Sequence, residues 1–409
     1  MNIMKKIILG VVSTAILLFT SLNANSQSCL ESPPGSGNYI LPDGSPCPNT
    51  IVTAVPFVRI IPDARSGAMG DVGIGLSPDA NSMALNASKL ANVENDLSIS
   101  ATYTPWLRAL GLQDVYLAYL AGYKKIDDLQ SIGMSLRYFS LGTISFTDEN
   151  GQPLGTGKPN EFEIAIAYAR KLSPKFSVGF TPKFIYSNLA SGQRIGDVDI
   201  TPGIAGAADL SMIFVTPIKM SNSESELSVG AAITNLGTKI SYTQSINKDY
   251  LPTNLGIGVA WKLNFDEFNT FTIAADINKL LVPTPLFSSD PNYDTNGDGI
   301  PDYKEQSTFG AVLGSFSDAP GGAAEEFREL MYSIGLEYWY DEQFAVRAGY
   351  YTENSTKGNR SFFTVGLGLK YNIFGLNFSY LVPTTNQRNP LDNTLRFSLL
   401  FDFGGDIQD

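Results

Sequence analysis

From residue 96 to residue 403 the chain repeats one unit: a run with an apolar side chain at every second position, then a break. Successive side chains of a strand point to opposite faces, so each run reads as a strand with one apolar face and one small or polar face. The breaks themselves alternate, short then long. That two-level rhythm is expected of a β-barrel crossing an outer membrane, with tight turns at one rim and long loops at the other. A soluble sandwich shares the alternation but has no reason to keep the parity of its loops.

In residues 161–172, Phe162, Ile164, Ile166 and Tyr168 face one way, and Glu163, Ala165, Ala167 and Ala169 the other. In 343–353, Phe344, Val346, Ala348 and Tyr350 oppose Ala345, Arg347 and Gly349. Fourteen strands are predicted: 96–104, 114–124, 129–141, 160–172, 175–188, 202–215, 226–236, 253–264, 268–278, 330–340, 343–353, 360–372, 373–382 and 393–403. An even number returns both ends of the barrel to one rim. The expected class is all-β, a transmembrane antiparallel 14-stranded outer-membrane β-barrel with its long loops extracellular. One break, 215–226, falls in a short slot yet is polar and extended, and reads as a long periplasmic turn. Tyr103, Trp106, Trp261, Tyr338, Trp339 and Tyr340 are expected in the aromatic girdles at the membrane surfaces.

The N-terminus reads as a secretory signal, 1–26: Lys5 and Lys6, an apolar stretch over 7–19, then Ala24, Asn25 and Ser26 before a cut at Gln27. No other apolar run is long enough for a membrane helix, so a membrane location requires a barrel. Cys29 and Cys47 follow in a Pro/Gly/Ser-rich stretch, where an oxidising compartment favours a disulfide between them. The competing reading, a lipid-modified Cys29, lacks the Leu/Ala/Gly run expected ahead of it. A formal charge of −12 offers phosphates no basic patch, which argues against nucleic acid. The chain has no histidine, which removes the usual Ser–His–Asp and Cys–His devices and His-ligated zinc, so a non-enzyme is expected.

One motif has metal-ligand spacing. Asp294, Asn296, Asp298, Ile300, Asp302 and Glu305 occupy the ligand positions of a twelve-residue calcium loop, Ile300 through its carbonyl, with Gly299 at the sharp turn. The flanks contain Pro283, Pro285 and Pro291, so the expectation is a structural Ca²⁺ staple rather than a helix–loop–helix sensor. The alternative is a flexible Asp/Gly-rich turn without metal. The motif lies in the longest predicted loop, 279–329, which also holds an apolar stretch, 309–316, and a short helix predicted at 323–330. Phe309, Val312, Leu313 and Phe316 are the candidate partner-binding residues, because apolar side chains on an outward loop mark a contact surface or a lid.

Residues 27–95 are too apolar and too glycine-rich for a free tail, and a hatch inside the barrel explains both features. The run Asp63-Ala64-Arg65…Met69-Gly70, within 61–75 and followed by 77–91, resembles the N-terminal signature of the PorV family of the type IX secretion system. The resemblance covers essentially the whole mature chain. It departs at Met83-Ala84-Leu85-Asn86-Ala87-Ser88, where the family has an aromatic and an Asn-Pro-Ala-like run, which leaves a PorQ-type relative open. The wider relationship is to FadL-like barrels, also fourteen-stranded with an N-terminal hatch. The resemblance implies a shuttle in the outer membrane, in contact with its lipid. Such a shuttle binds the SprA/Sov translocon, collects cargo by its C-terminal domain and delivers it to a PorU/PorZ attachment complex. A FadL-like channel for hydrophobic small molecules and a lipopolysaccharide-modifying (LptO-like) protein are the alternatives. The organisation expected is 1–26 signal, 27–95 hatch and 96–409 barrel.

Overall fold

The computed structural model describes residues 29–32, 39–108, 111–147, 150–190, 192–195, 198–220, 223–243, 248–384 and 394–404; the predicted signal, 1–26, lies outside them. The chain forms two compact units, one up to Cys47 and one from Pro48. In the first, Leu30–Glu31 pairs antiparallel with Tyr39–Ile40, and Cys29 is disulfide-bonded to Cys47.

The second unit is a closed antiparallel barrel of fourteen strands. They are β1 (Leu97–Pro105), β2 (Val115–Asp127), β3 (Gln130–Leu141), β4 (Asn160–Ser173), β5 (Phe176–Asn188), β6 (Gly203–Met220) and β7 (Ser223–Gly237). The remainder are β8 (Asn254–Asn264), β9 (Asn269–Leu280), β10 (Met331–Tyr340), β11 (Phe344–Thr352), β12 (Ser361–Tyr371), β13 (Phe374–Pro383) and β14 (Leu395–Phe403). Each strand pairs with the next, and β14 returns to β1 with Phe397 opposite Tyr103 and Phe403 opposite Leu97. The two faces separate as the alternation requires. In β12, Phe363, Val365, Leu367 and Leu369 are exposed outside, while in β1 Ser98, Ser100, Thr102 and Thr104 are buried inside.

Two expectations need correction. The break at 215–226 is not a long turn: β6 and β7 stay paired to Met220 opposite Ser223. The pairing is hidden in the sequence because Lys219, Glu224 and Glu226 replace apolar residues where the hairpin runs past the apolar band. Trp106 and Trp339 are not girdle residues. Trp106 is buried against Phe139, ring centroids 5.1 Å apart, and Trp339 turns inward beneath the Arg347 guanidinium. Tyr103, Trp261 and Tyr340 do lie exposed on the outer face.

Residues from Pro48 to Asp96 run down the interior. At the long-loop rim, the Asn49 amide donates to the Thr356 carbonyl (2.8 Å) and the Ala54 amide to the Tyr250 carbonyl (3.0 Å). A 3-10 turn, Pro56–Arg59, packs Phe57 and Val58 among Trp106, Phe139, Ile185 and Leu381. Below it, Asp63 caps α1 (Ala64–Gly67), accepting from the Ser66 amide at 2.8 Å. After a short 3-10 turn at Ser82–Ala84, a third, Ala87–Asn92, packs Leu90 against the inner wall, and the Asp96 amide meets the Gly404 carbonyl at the short-turn rim.

The approach of this segment to the wall demands glycine. A Cβ on Gly349 would stand 2.0 Å from the Met69 carbonyl carbon and 2.1 Å from the Gly70 nitrogen, both backbone atoms. Gly349→Ala is therefore expected to destabilise the barrel by about 1–3 kcal/mol, the usual cost of overpacking. Gly206→Ala, where a Cβ meets nothing within 4 Å, is the matched control. Loss of the heat-modifiable band on urea titration measures both; equal midpoints would refute the close packing.

Candidate functional site

Two constellations stand out, one inside the barrel and one at the long-loop rim. Inside, Arg65 of α1 forks onto Glu337 of β10, with Nε and Nη2 at 2.9 and 2.8 Å from its two oxygens. The same carboxylate accepts from Arg347 Nε of β11 at 2.7 Å, and Arg347 Nη1 donates to Asn377 Oδ1 at 2.8 Å. Glu337 and Arg347 stand directly opposite in the β10–β11 register, so the wall presents a ready ion pair to which the inner segment adds a second guanidinium. Further along, Asp276 Oδ2 of β9 accepts from the Gly73 and Ile74 amides at 2.8 and 3.0 Å. Lys89 Nζ donates to the Gly73 carbonyl at 2.6 Å. Charged hydrogen bonds of this kind are the strong ones, and they hold an otherwise irregular segment in one conformation. Sequence reasoning identified the segment but not Glu337, Arg347 or Asp276; the signal available was their inward register, charged residues on a face otherwise small.

At the rim, the connection between β9 and β10 carries α2 (Asp302–Glu305), α3 (Thr308–Gly314) and α4 (Ala323–Arg328). Lys279 belongs to the outward row that includes the exposed Ile273 and Ile277. It is buried because Glu326 and Glu329 cover it, at 2.9 and 2.5 Å. Lys357 Nζ reaches Glu325 (2.5 Å) and Glu329 (3.0 Å) from the β11–β12 connection. Thr284 Oγ1 donates to Glu329 Oε1 at 2.7 Å. The loop is thus folded back over the outside of the barrel. On the other side, Tyr250 Oη donates to the Gln306 carbonyl (2.7 Å) and Lys304 pairs with Asp249 (2.9 Å).

Of the four candidate contact residues, Phe309 and Leu313 are 72% and 76% exposed, one helical turn apart on α3. Phe316 is 51% exposed and Val312 is half-buried, while Ala311 anchors the helix beneath Tyr250 and Val282. Phe327 of α4, 70% exposed and not anticipated from the sequence, extends the patch. Phe316 and Phe327 overhang Leu255, Ile257 and Ile277 of the outer wall, leaving an apolar groove of about 410 Å³.

The predicted calcium loop is folded as a tight turn. Asp294 accepts from the Gly297 and Gly299 amides (2.8 and 2.9 Å), Asn296 from the Asp298 amide (3.0 Å) and Asp298 from the Ile300 amide (2.8 Å). Gly297 and Gly299 have φ of 73° and 83°, the left-handed region that glycine tolerates. Glu305 Oε2 accepts from Asn296 Nδ2 at 3.0 Å, and Asp302 accepts from the Thr295 amide at 3.1 Å. Among the described residues no three carboxylates converge as a metal centre; the spacing of the motif is reproduced, while the oxygens serve the loop's own amides.

One anchor of the loop is pH-sensitive. Burial pushes the Asp318 carboxyl up to about 6, helped by Glu326 and Glu329 and opposed by hydrogen bonds from Thr284. A carboxyl whose folded pKa is raised contributes stability that is complete below the unfolded value near 4 and is lost as pH rises through about 6. Hydrogen exchange of this loop, corrected for its intrinsic pH dependence, is expected to be slower at pH 4 than at pH 7, with the difference reduced in Asp318→Asn. Equal profiles for both proteins would refute the assignment.

No curated protein sequence matches the chain. Among solved structures it is similar to the toluene transporter TbuX of Ralstonia pickettii (10% identity, 83% of this chain and 98% of that one, TM-score 0.45). It is also similar to the toluene transporter TodX of Pseudomonas putida (12%, 82% and 95%, 0.46) and to a Pseudomonas aeruginosa FadL homologue (10%, 87% and 100%, 0.41). The family described as type IX secretion system protein PorV matches residues 46–287, more than half of the sequence, from the inner segment through the first nine strands of the barrel. The chain belongs to the PorV family of the type IX secretion system.

Proposed function

We propose that this protein is a non-enzymatic carrier in the outer membrane. It binds a SprA/Sov-type translocon barrel, receives cargo by its C-terminal domain and hands it to a PorU/PorZ-type attachment complex. The family supports the secretion role. The continuous apolar outer face, exemplified by Phe363, Val365, Leu367 and Leu369, supports a lipid environment, and the long loops then face outward. The observation that carries partner binding is the exposed pair Phe309 and Leu313 on a helix anchored by Ala311 against Tyr250 and Val282, with the Gln306 carbonyl just before it held by Tyr250 Oη. A soluble surface has no use for four clustered large apolar side chains, whereas an interface core does. Because the groove under Phe316 and Phe327 continues onto the outer wall, a partner barrel alongside in the membrane can meet wall and loop together. The interior segment acts as the hatch. Its glycine-tight packing and its ion pairs weigh against an open channel for hydrophobic small molecules. The absence of histidine weakens a lipopolysaccharide-modifying role, since it removes the usual Ser–His and Cys–His devices.

A photo-crosslinker at Leu313 in living cells is expected to capture a very large barrel protein or a cargo C-terminal domain. Phe309→Ser is expected to weaken that capture by roughly tenfold or more, since a central apolar anchor is worth about 2 kcal/mol. Capture of lipid alone, or undiminished capture by the variant, would sink the carrier reading.

For 294–305 we propose a structural Ca²⁺ site, in which a cation draws Asp294, Asn296, Asp298, Asp302, Glu305 and the Ile300 carbonyl together. Titration calorimetry of the purified protein is expected to show saturable calcium heat that Asp298→Ala abolishes. Heat-free titration, or an unaffected variant, leaves a metal-free turn.

A further inference from the structure

We infer that the barrel interior holds an oxyanion, a carboxylate or phosphate group, between the hatch and the long-loop half of the wall. A cavity of about 90 Å³ lies there, and Arg59, Arg137 and Arg360 all line it. On this measure one water needs about 10–15 Å³, so the space suits a small oxyanion with a few waters rather than a whole lipid.

The charges around the cavity do not balance. Arg360 is matched by Glu353, Nε to Oε1 at 2.7 Å. Asp71, the only carboxylate among the described lining residues, faces Arg396 at 3.6 Å. Arg137 is 1% exposed and has no carboxylate partner among the described residues. Its Nη1 donates to the Phe57 and Val58 carbonyls, its guanidinium carbon lies 5.6 Å from the Tyr119 ring, and its Nε meets no acceptor. Glu163, opposite it in register, lies 3.5 Å from Lys183, which pairs more closely with Asp209 at 2.8 Å. Among the described residues Arg59 has only the Met331 thioether, 2.9 Å from Nη2, which is a weak acceptor. Among the described residues, half-buried Arg59 and buried Arg137 therefore have no carboxylate within ion-pair distance, a costly state for a buried cation unless an anion joins it. The planar fork of arginine matches carboxylate and phosphate oxygens, which narrows the ligand class. Asn254 adds a polar wall, its Nδ2 donating to Asn278 Oδ1 at 2.9 Å, and Ile60, Ile74 and Leu85 supply an apolar side on which a short alkyl stem can rest.

The test uses the full-length protein in detergent micelles. Calorimetry with inorganic phosphate and with octyl phosphate, against sodium chloride at matched ionic strength, is expected to show saturable binding of at least one probe. Arg59→Gln is expected to weaken it roughly tenfold or more, and Arg59→Lys to restore part of it. Native mass spectrometry of the wild-type protein separates the sources. A retained phospholipid or fatty-acid mass, or preference for octyl phosphate, assigns the site to a lipid headgroup; phosphate binding alone assigns it to a free anion. The inference is overturned if neither probe binds the wild-type protein saturably and no anionic mass is retained. It is equally overturned if Arg59→Gln, folded by heat-modifiability, binds as the wild type does. If Arg59→Gln does not fold, the two wild-type measurements still decide.

Discussion

Pairing of β14 with β1 removes the last free edge of the sheet. An unpaired edge exposes a row of N–H and C=O groups, and hydrocarbon offers them no water in exchange. Closure satisfies that demand and creates another. Fourteen strands enclose a space, and the inward row of each strand is small or polar, as with Ser98, Ser100, Thr102 and Thr104. The residues from Pro48 to Asp96 answer it. They fill the interior with glycine-tight contacts at Gly349 and with charged hydrogen bonds to Glu337 and Asp276.

The fold was legible because period-two alternation is a local signal, repeated in strand after strand. The reading failed where the alternation stops. Lys219 and Glu226 lie beyond the apolar band, so alternation of polarity vanishes while the hydrogen-bonded ladder continues to Met220 and Ser223. Trp106 and Trp339 were misplaced because an aromatic near a strand end serves either face, and only the register says which. The candidate site was legible in part. Phe309, Val312, Leu313 and Phe316 sit together on and beside one short helix, and Cys29 and Cys47 are joined. Glu337 as the partner of Arg65 could not be read, since the two are far apart in sequence and meet only through barrel closure. Lys279 was equally hidden: nothing in an outward row signals that a loop returns to cover it.

The rim loop shows how a long connection becomes a defined surface. Three carboxylates, Glu325, Glu326 and Glu329, meet Lys279 of the wall and Lys357 of the β11–β12 connection. Each ion is held by more than one bond or by a neighbour already immobilised, so the entropy of ordering is shared across the cluster. With its base fixed, the loop can afford exposed aromatic side chains at its tip without collapsing onto itself. Residues 288–330 lie beyond the span matched by the family, 46–287.

The path of the inner segment bears on how the molecule is assembled. The chain enters at the long-loop rim near Asn49 and Ala54 and leaves at the opposite rim by Asp96, where β1 begins. A barrel finished first would have to admit this segment by threading it lengthwise from one rim to the other. The seam, in contrast, joins the first strand to the last, so it is the one ladder that has to wait for the whole chain. A route that closes the seam last needs no threading: the strands can curl around the segment, which then serves as the mandrel on which the cylinder is wound.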